Sequence, residues 1–310
     1  MKIVFLSRFQ GEVSRGAETY VENLSSQLMQ LGNTVLIRKN IFDSVPADAQ
    51  ILVGVNGRLD NIFARKLSFL SGTKFVISGH SGPGLDDRIN LYTFPSVFIA
   101  LSEYQRKWAK KINPFVRVEK IPNGVDLEKF NSSVKKINPD LPGPVILCVS
   151  AFTTQKRLDL AIKAVSRLKT ASLWLVGRGE EEKHLVELGN RLLPGRFKTS
   201  AYPHTQMPGV YLGADIFTFP TVPWESFGIV LLEAMASGLP VVSTDDPIRR
   251  EIVGVAGLYA DPSDSAAYAS ALNVALKTDW ENKPRIQAEK YPWSKIALEY
   301  HQLFEKLCSP

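Results

Sequence analysis

Short apolar runs alternate with amphipathic stretches along the whole chain. Residues 2–7 (KIVFLS), 34–37 (TVLI), 51–55, 74–78 and 97–101 are runs of strand length, dominated by apolar and β-branched residues. Such runs read as parallel strands buried on both faces. Between them, residues 17–31 place Tyr20, Val21, Leu24, Leu28 and Leu31 at helical spacing and stop at Gly32; 59–70 and 103–111 also read as helices. Residues 116–121 run into the turn Pro122-Asn123-Gly124. The polar, proline-bearing stretch 131–143 then interrupts the pattern. The alternation restarts with strands at 144–149, 172–176, 197–201, 216–220 and 257–260. Helices follow at LDLAIKAVSRL, 180–193, 205–213 and 264–277, and 281–307 divides into two helices at Pro292. This order predicts an α/β fold: two consecutive Rossmann-like domains, 1–135 and 136–290, facing each other across a cleft, then a C-terminal helix in 291–310.

One stretch departs from plain α/β patterning. Residues 214–244, ADIFTFPTVPWESFGIVLLEAMASGLPVVST, read as strand, loop, helix, strand. The helix, from Gly228 to Ser237, is apolar nearly all round and so belongs in the interior. It nevertheless contains Glu233, which needs a polar partner, because an unpaired buried carboxylate costs several kcal/mol, on the order of 5. Glu225 lies just before the helix. The two acids bracket a helix N-terminus, where backbone N–H groups and the dipole favour an anion. Gly228 to Glu233 rises about 7.5 Å, comparable to the reach of a diphosphate. A ligand with hydroxyls at one end, a diphosphate in the middle and a ribose at the other suits this layout.

Composition narrows the classes. The 310 residues are 45% hydrophobic and 22% charged, as in ordinary globular proteins. No apolar run approaches the ~18 residues of a membrane-spanning helix. Residues 1–7 lack the long apolar region and small-residue cleavage site of a signal peptide. Cys148 and Cys308 make no disulfide framework, so the expectation is a cytoplasmic protein. The net charge of +6 is uneven: residues 1–135 carry 18 Lys/Arg against 12 Asp/Glu, and the remainder is balanced. Solubility is one reading. The other is peripheral attraction to an anionic membrane surface through the first domain, supported by the Arg106-Lys107-Trp108-Ala109-Lys110-Lys111 cluster. No helix-turn-helix, zinc or RNP-type motif points to nucleic acid. Gly177-x-Gly179 lacks a third glycine and is followed by three glutamates, which disfavours a dinucleotide site. Asp86 and Asp87 have no evident third metal ligand and read as solvated acids.

Glu225-x7-Glu233, within ESFGIVLLEAMASGLPVV, resembles the signature of retaining glycosyltransferases of family 4, which have the GT-B fold. Other elements stand in the same order: Arg15-Gly16-Ala17-Glu18, His80 after a strand, Ile121-Pro122-Asn123-Gly124-Val125-Asp126, Lys156, VGRG at 176–179 and Glu251-Ile252-Val253. The resemblance covers nearly the whole chain and implies a C-terminal helix returning to the N-terminal domain. It implies transfer of a hexose from a UDP-, GDP- or ADP-sugar to a hydroxyl acceptor (glycan, lipid or small molecule), with retention at the anomeric carbon. No cofactor or metal is expected.

Carried onto this chain, the resemblance implies three catalytic residues, His80, Lys156 and Glu225, with Glu225 on the donor sugar hydroxyls and Lys156 on the diphosphate. Donor contacts fall to Gly16, Arg157, Phe227, Gly228, Ile229 and Glu233, the last on the ribose. Two departures stand out. Ala151 occupies a position where the family commonly has Arg, leaving Arg157 as the candidate second cation. Arg15 stands where a Gly-Gly pair is common. Alternatives are a catalytically silent nucleotide-sugar-binding protein and another GT-B enzyme, such as a phosphorylase, an epimerase or an inverting transferase.

Overall fold

A computed structural model describes residues 1–11, 16–40, 43, 45–55 and 59–309; Arg15 lies outside them. The chain divides into two compact units. The first comprises Met1–Gly124, Trp224–Phe227 and Tyr291–Pro310, and the second Val125–Pro223 and Gly228–Lys290.

The first unit runs β1 (Lys2–Leu6), α1 (Gly16–Gln30), β2 (Thr34–Arg38), β3 (Ile51–Gly54), α2 (Leu59–Ser71), β4 (Lys74–Ser78), α3 (Leu85–Leu91), β5 (Val97–Ala100), α4 (Glu103–Ile112) and β6 (Val118–Lys120). All pairings are parallel, in the order β2-β1-β3-β4-β5-β6. From β3 onward the strands advance in one direction. Right-handed crossovers therefore put α2, α3 and α4 on one face of the sheet and α1 on the other. Helix α3 occupies part of what reads in sequence as a loop. It is short, with no side-chain N-cap, and a buried polar ladder holds it in place. Asn61 Nδ2 donates to Asn90 Oδ1 at 2.9 Å, and Asn90 Nδ2 donates to Asp87 Oδ1 at 3.0 Å. Gln105 Nε2 donates to Asp87 Oδ2 at 2.9 Å and to the Gly79 carbonyl at 2.7 Å. Asp87 is therefore fully buried, not solvated. Burial raises its pKa from 3.8 to about 7, against the opposing pull of these donors.

The second unit runs β7 (Val145–Val149), α5 (Leu158–Val165), β8 (Ser172–Val176), α6 (Glu182–Leu192), β9 (Phe197–Ser200), α7 (Met207–Tyr211), β10 (Ile216–Phe219), α8 (Ile229–Ala236), β11 (Val241–Thr244), α9 (Pro247–Val253), β12 (Gly257–Ala260), α10 (Ser265–Lys277) and α11 (Lys283–Ala288). Its parallel sheet has the order β12-β11-β10-β7-β8-β9. The inner strands β7, β8, β10 and β11 are buried while the edge strands β9 and β12 are half-buried, and β7 and β8 pack with α5 and α10 in one core.

The last helix, α12 (Trp293–Cys308), belongs to the first unit and packs along α1. Trp293 and Tyr300 bury their rings 6.2 and 6.0 Å from that of Tyr20. Gly124 is required beside it, because a Cβ there would lie 2.7 Å from the Trp293 indole.

Candidate functional site

Each sheet reverses its strand order once, at β1/β3 and at β7/β10. Ligands of open α/β sheets bind outside the strand C-termini at such reversals. In the second unit, the chain after β7 forms a single 3-10 turn, Thr154–Lys156, and the chain after β10 runs alongside it. Val222 N donates to the Gln155 carbonyl at 3.1 Å, and Thr221 Oγ1 to the same oxygen at 3.3 Å. These bonds tie the two loops together.

Lys156 is half-buried, with Nζ 5.6 Å from the centre of the Phe219 ring. Its charge opposes the burial that pushes the Cys148 thiol up to about 12. Arg157 has a left-handed backbone (φ 52°) between the 3-10 turn and α5, a conformation uncommon for a residue with a side chain. Its guanidinium lies 4.0 Å from the Asp261 carboxylate. Gly228 precedes α8 with φ 86°, and a Cβ there would come 3.0 Å from the Phe219 ring. Both facts call for glycine. The helix proper begins at Ile229, and no side chain caps it.

Glu233 is 5% exposed and has the polar partners its burial demands. Tyr211 Oη donates to Oε2 at 2.7 Å, and His204 Nε2 lies 3.2 Å from Oε1. On its other side, His204 Nδ1 is 2.9 Å from Lys129 Nζ. A lysine ammonium only donates and a carboxylate only accepts, so this geometry fits an imidazole that accepts at Nδ1 and donates from Nε2. The Tyr211 phenol is held well above its ordinary pKa, first by burial and then by Glu233, and stays a donor. Phe130 packs against both His204 and Tyr211, with ring centres 6.0 and 5.8 Å away. Arg285 fastens the same turn, donating to the carbonyls of Phe130, Leu127 and Ala236.

In the first unit, His80 follows β4 with its ring centre 4.3 Å from that of Tyr20. His80 as a whole is half-buried, and its Nε2 is buried without a hydrogen-bond partner. Burial lowers the His80 pKa from 6.5 to about 3, so the ring is neutral. Segment Trp224–Phe227, which carries the half-buried Glu225, packs on the loop after β4. Ser226 Oγ donates to the Gly79 carbonyl at 3.4 Å. Gly82, at φ 82°, leaves the room that a Cβ would take 2.4 Å from the Trp224 carbonyl oxygen. Phe227 is buried, and Gly16 is exposed as the first residue of α1.

Gly228, Ile229, Glu233, Lys156 and Arg157 thus gather in the second unit around the β7/β10 reversal, and His80, Glu225 and Phe227 near the end of β4 in the first. Sequence reasoning missed His204, Lys129, Tyr211 and Arg249. Arg249 is fully buried, paired with Asp246 at 2.7 Å, and donates to the Pro223 carbonyl at 2.8 Å. Asp246 followed by Pro247 was a readable helix start, but nothing local marks His204 as a partner of Glu233. Among the described residues, no group of three or more His, Cys, Asp or Glu side chains converges as a metal site. None of their helices is long and apolar enough to cross a membrane.

Residues 143–278 match the family described as Glycosyl transferases group 1. A phosphatidyl-myo-inositol mannosyltransferase of Mycobacterium leprae is 30% identical over 223 residues, which cover 68% of this chain and 59% of the relative. O-antigen chain mannosyltransferase B of Escherichia coli is 32% identical over 152 residues, covering 47% of this chain and 37% of its own. The chain thus spans about six tenths, or less, of the length of these two relatives. Among solved structures, Anabaena HepE in complex with UDP-glucose superposes with a TM-score of 0.82 at 19% identity, covering 99% of this chain and 100% of that one. A sucrose-phosphate synthase from Thermosynechococcus elongatus gives 0.80 at 18% identity, covering 99% and 98%. The fold of two six-stranded parallel sheets is the GT-B fold of these structures, and residues 143–278 belong to the glycosyl transferases group 1 family.

Proposed function

We propose that the protein transfers a hexose from a nucleoside diphosphate sugar to a hydroxyl acceptor, with retention of anomeric configuration. The single observation that carries the reading is Glu233, a buried carboxylate held by Tyr211 and His204 on a helix whose N-terminus adjoins Lys156 through Phe219. In this reading Glu233 accepts the ribose hydroxyls. The backbone at Gly228 and Ile229 faces the diphosphate, and Lys156 and Arg157 neutralise charge as the bond to the anomeric carbon breaks. Glu225 accepts hydroxyls of the donor sugar, with the Phe227 backbone beside it. The neutral His80 contacts the reacting sugar, and Gly16 lets the backbone approach the phosphates. These cations and the helix N-terminus supply the charge that a divalent metal supplies elsewhere.

The test is a thermal-shift screen across UDP-, GDP- and ADP-sugars, because a ligand of the native state raises the melting temperature. It is followed by turnover with sugar and lipid acceptors, with and without chelator, and by the anomeric assignment of the product. Glu225→Gln is expected to lower turnover at least tenfold. An inverted product overturns retention, and reversible loss of activity with chelator overturns metal independence. Donor binding with no turnover on any acceptor favours the second reading, a silent nucleotide-sugar-binding protein, for which Ala151 in place of the family's Arg is the supporting observation.

We also propose that the first unit meets an anionic membrane surface. Its α2–α3–α4 face exposes Leu59, Phe63, Phe69, Leu70, Tyr92 and Phe115. Residues 59–120 carry 10 Lys/Arg against 5 Asp/Glu. Trp108 is half-buried against the core, so the apolar contact falls to the other residues. Co-sedimentation with phosphatidylglycerol vesicles, lost in 0.5 M salt or in Phe69→Ser/Leu70→Ser, is expected; equal binding to neutral vesicles removes the charge argument.

A further inference from the structure

The reading of Glu233 as the ribose acceptor leaves open what fixes its carboxylate in one orientation. A carboxylate at the end of a glutamate turns readily about its last torsion, yet recognition of two adjacent hydroxyls needs both oxygens in place at once. Each oxygen offers about two lone-pair directions. Tyr211 occupies one on Oε2 and His204 one on Oε1, so each oxygen keeps one to offer. Tyr211 is clamped by burial within α7, but His204 lies in a 3-10 turn and is partly exposed. Its orientation depends on Lys129, which comes from the turn Asp126–Phe130. There Asp126 Oδ1 accepts from the Lys129 backbone N–H at 2.9 Å.

We propose that His204, its tautomer set by Lys129, is a positioning residue that orients Glu233 toward the vicinal diol of the donor ribose. The device rests on the donor-site reading above and adds a selectivity: the pair discriminates ribonucleotides from 2′-deoxyribonucleotides. Without Lys129 the imidazole proton is free to sit on Nδ1, which turns the Nε2 lone pair against the carboxylate. Without the imidazole, Oε1 loses its tether and the carboxylate rotates toward whichever donor is nearest. In both cases affinity for the diol falls, while a ligand with a single hydroxyl loses much less.

The experiment is calorimetric titration of the whole chain with UDP, GDP and ADP and with their 2′-deoxy counterparts, on wild type, His204→Phe, His204→Gln and Lys129→Met. His204→Phe keeps the ring packing on Phe130 while removing both hydrogen bonds; its melting curve reports whether the fold is intact. Loss of a hydrogen bond to a charged group predicts roughly tenfold weaker binding of the ribonucleotide in His204→Phe. Deoxynucleotide affinity is expected to change less than about twofold, so that the ribo/deoxy ratio collapses. His204→Gln, whose amide both donates and accepts, is expected to restore most of the ratio; Lys129→Met should fall between. Turnover at saturating donor is expected to stay within about threefold of wild type, with the effect in KM. An unchanged ratio in His204→Phe, or Gln behaving as Phe does, overturns the positioning role while leaving the donor site standing. A wild type that binds none of the nucleotides overturns both.

Discussion

The guanidinium of Arg249, fully buried and paired with Asp246, donates a hydrogen bond to the carbonyl of Pro223. That carbonyl belongs to the residue immediately before the segment that carries Glu225. Asp246 at the same time accepts from the backbone N–H groups of Ile248 and Arg249, so the start of α9 and the end of the loop share one ion pair. Breaking a buried pair from one side strands the other charge and costs about 3–5 kcal/mol. Arg249→Met is therefore expected to lower the unfolding free energy by that amount, read as a fall in the urea midpoint at unchanged m. Arg249→Met with Asp246→Asn is expected to recover part of the loss, because no unpaired charge remains. Equal stability of single and double variants sinks the account.

Gly82 gives a test at the other end of the same segment. Its left-handed φ disfavours any side chain, and a Cβ would strike the Trp224 carbonyl. Gly82→Ala is expected to displace Trp224–Phe227, lowering turnover on a cognate donor by at least tenfold while changing nucleoside diphosphate affinity less than threefold. Wild-type turnover in Gly82→Ala removes the link between this loop and Glu225.

Two buried groups in the first unit titrate in opposite senses. Between about pH 3 and 6.5 the unfolded chain holds a proton on His80 that the folded chain lacks, so stability rises with pH. Between 3.8 and about 7 the folded chain holds a proton on Asp87 that the unfolded chain has lost, so stability falls as pH rises. Each slope reaches at most about 1.4 kcal/mol per pH unit, and over the shared window they offset one another. Denaturant midpoints from pH 4 to 7 are expected to rise in Asp87→Asn and fall in His80→Phe, with wild type flatter than either. Parallel curves for the two variants contradict the assignment.

Lys156 adjoins the start of α8 by way of Phe219. Lys156→Met is expected to reduce kcat on a cognate donor by about 100-fold, the scale of losing one electrostatic contact to developing charge. Lys156→Arg is expected to retain more activity than Met. A change confined to KM places Lys156 in ground-state binding alone.

Much of the fold was legible because parallel strands buried on both faces must be continuously apolar. β3, β5, β7 and β8 stand where such runs lie. The need of Glu233 for a partner was legible for the same reason, from an acid inside an apolar helix. The partners themselves were not. Lys129, His204 and Tyr211 come from three separate turns and helices, and only the tertiary fold brings them to one carboxylate. Asp87 misled in the opposite direction: an acid in a Gly-Pro-Gly loop reads as solvated, and its burial depends on Asn90 and Gln105 closing over it. Helix α3 was missed with it, since a seven-residue helix without a capping side chain leaves almost no periodic signal.

The position of α12 along α1 has a consequence for biosynthesis. The last helix of the sequence completes the core of the first unit, so the ribosome must finish the whole second unit before Tyr20 receives Trp293 and Tyr300. Until then α1 presents uncovered aromatic surface to chaperones and to other nascent copies. The second unit, whose contributing segments have all emerged by then, is free to fold during translation. A premature stop just before residue 291 is therefore expected to leave the early part of the chain, not its nearest neighbour in sequence, open to proteolysis.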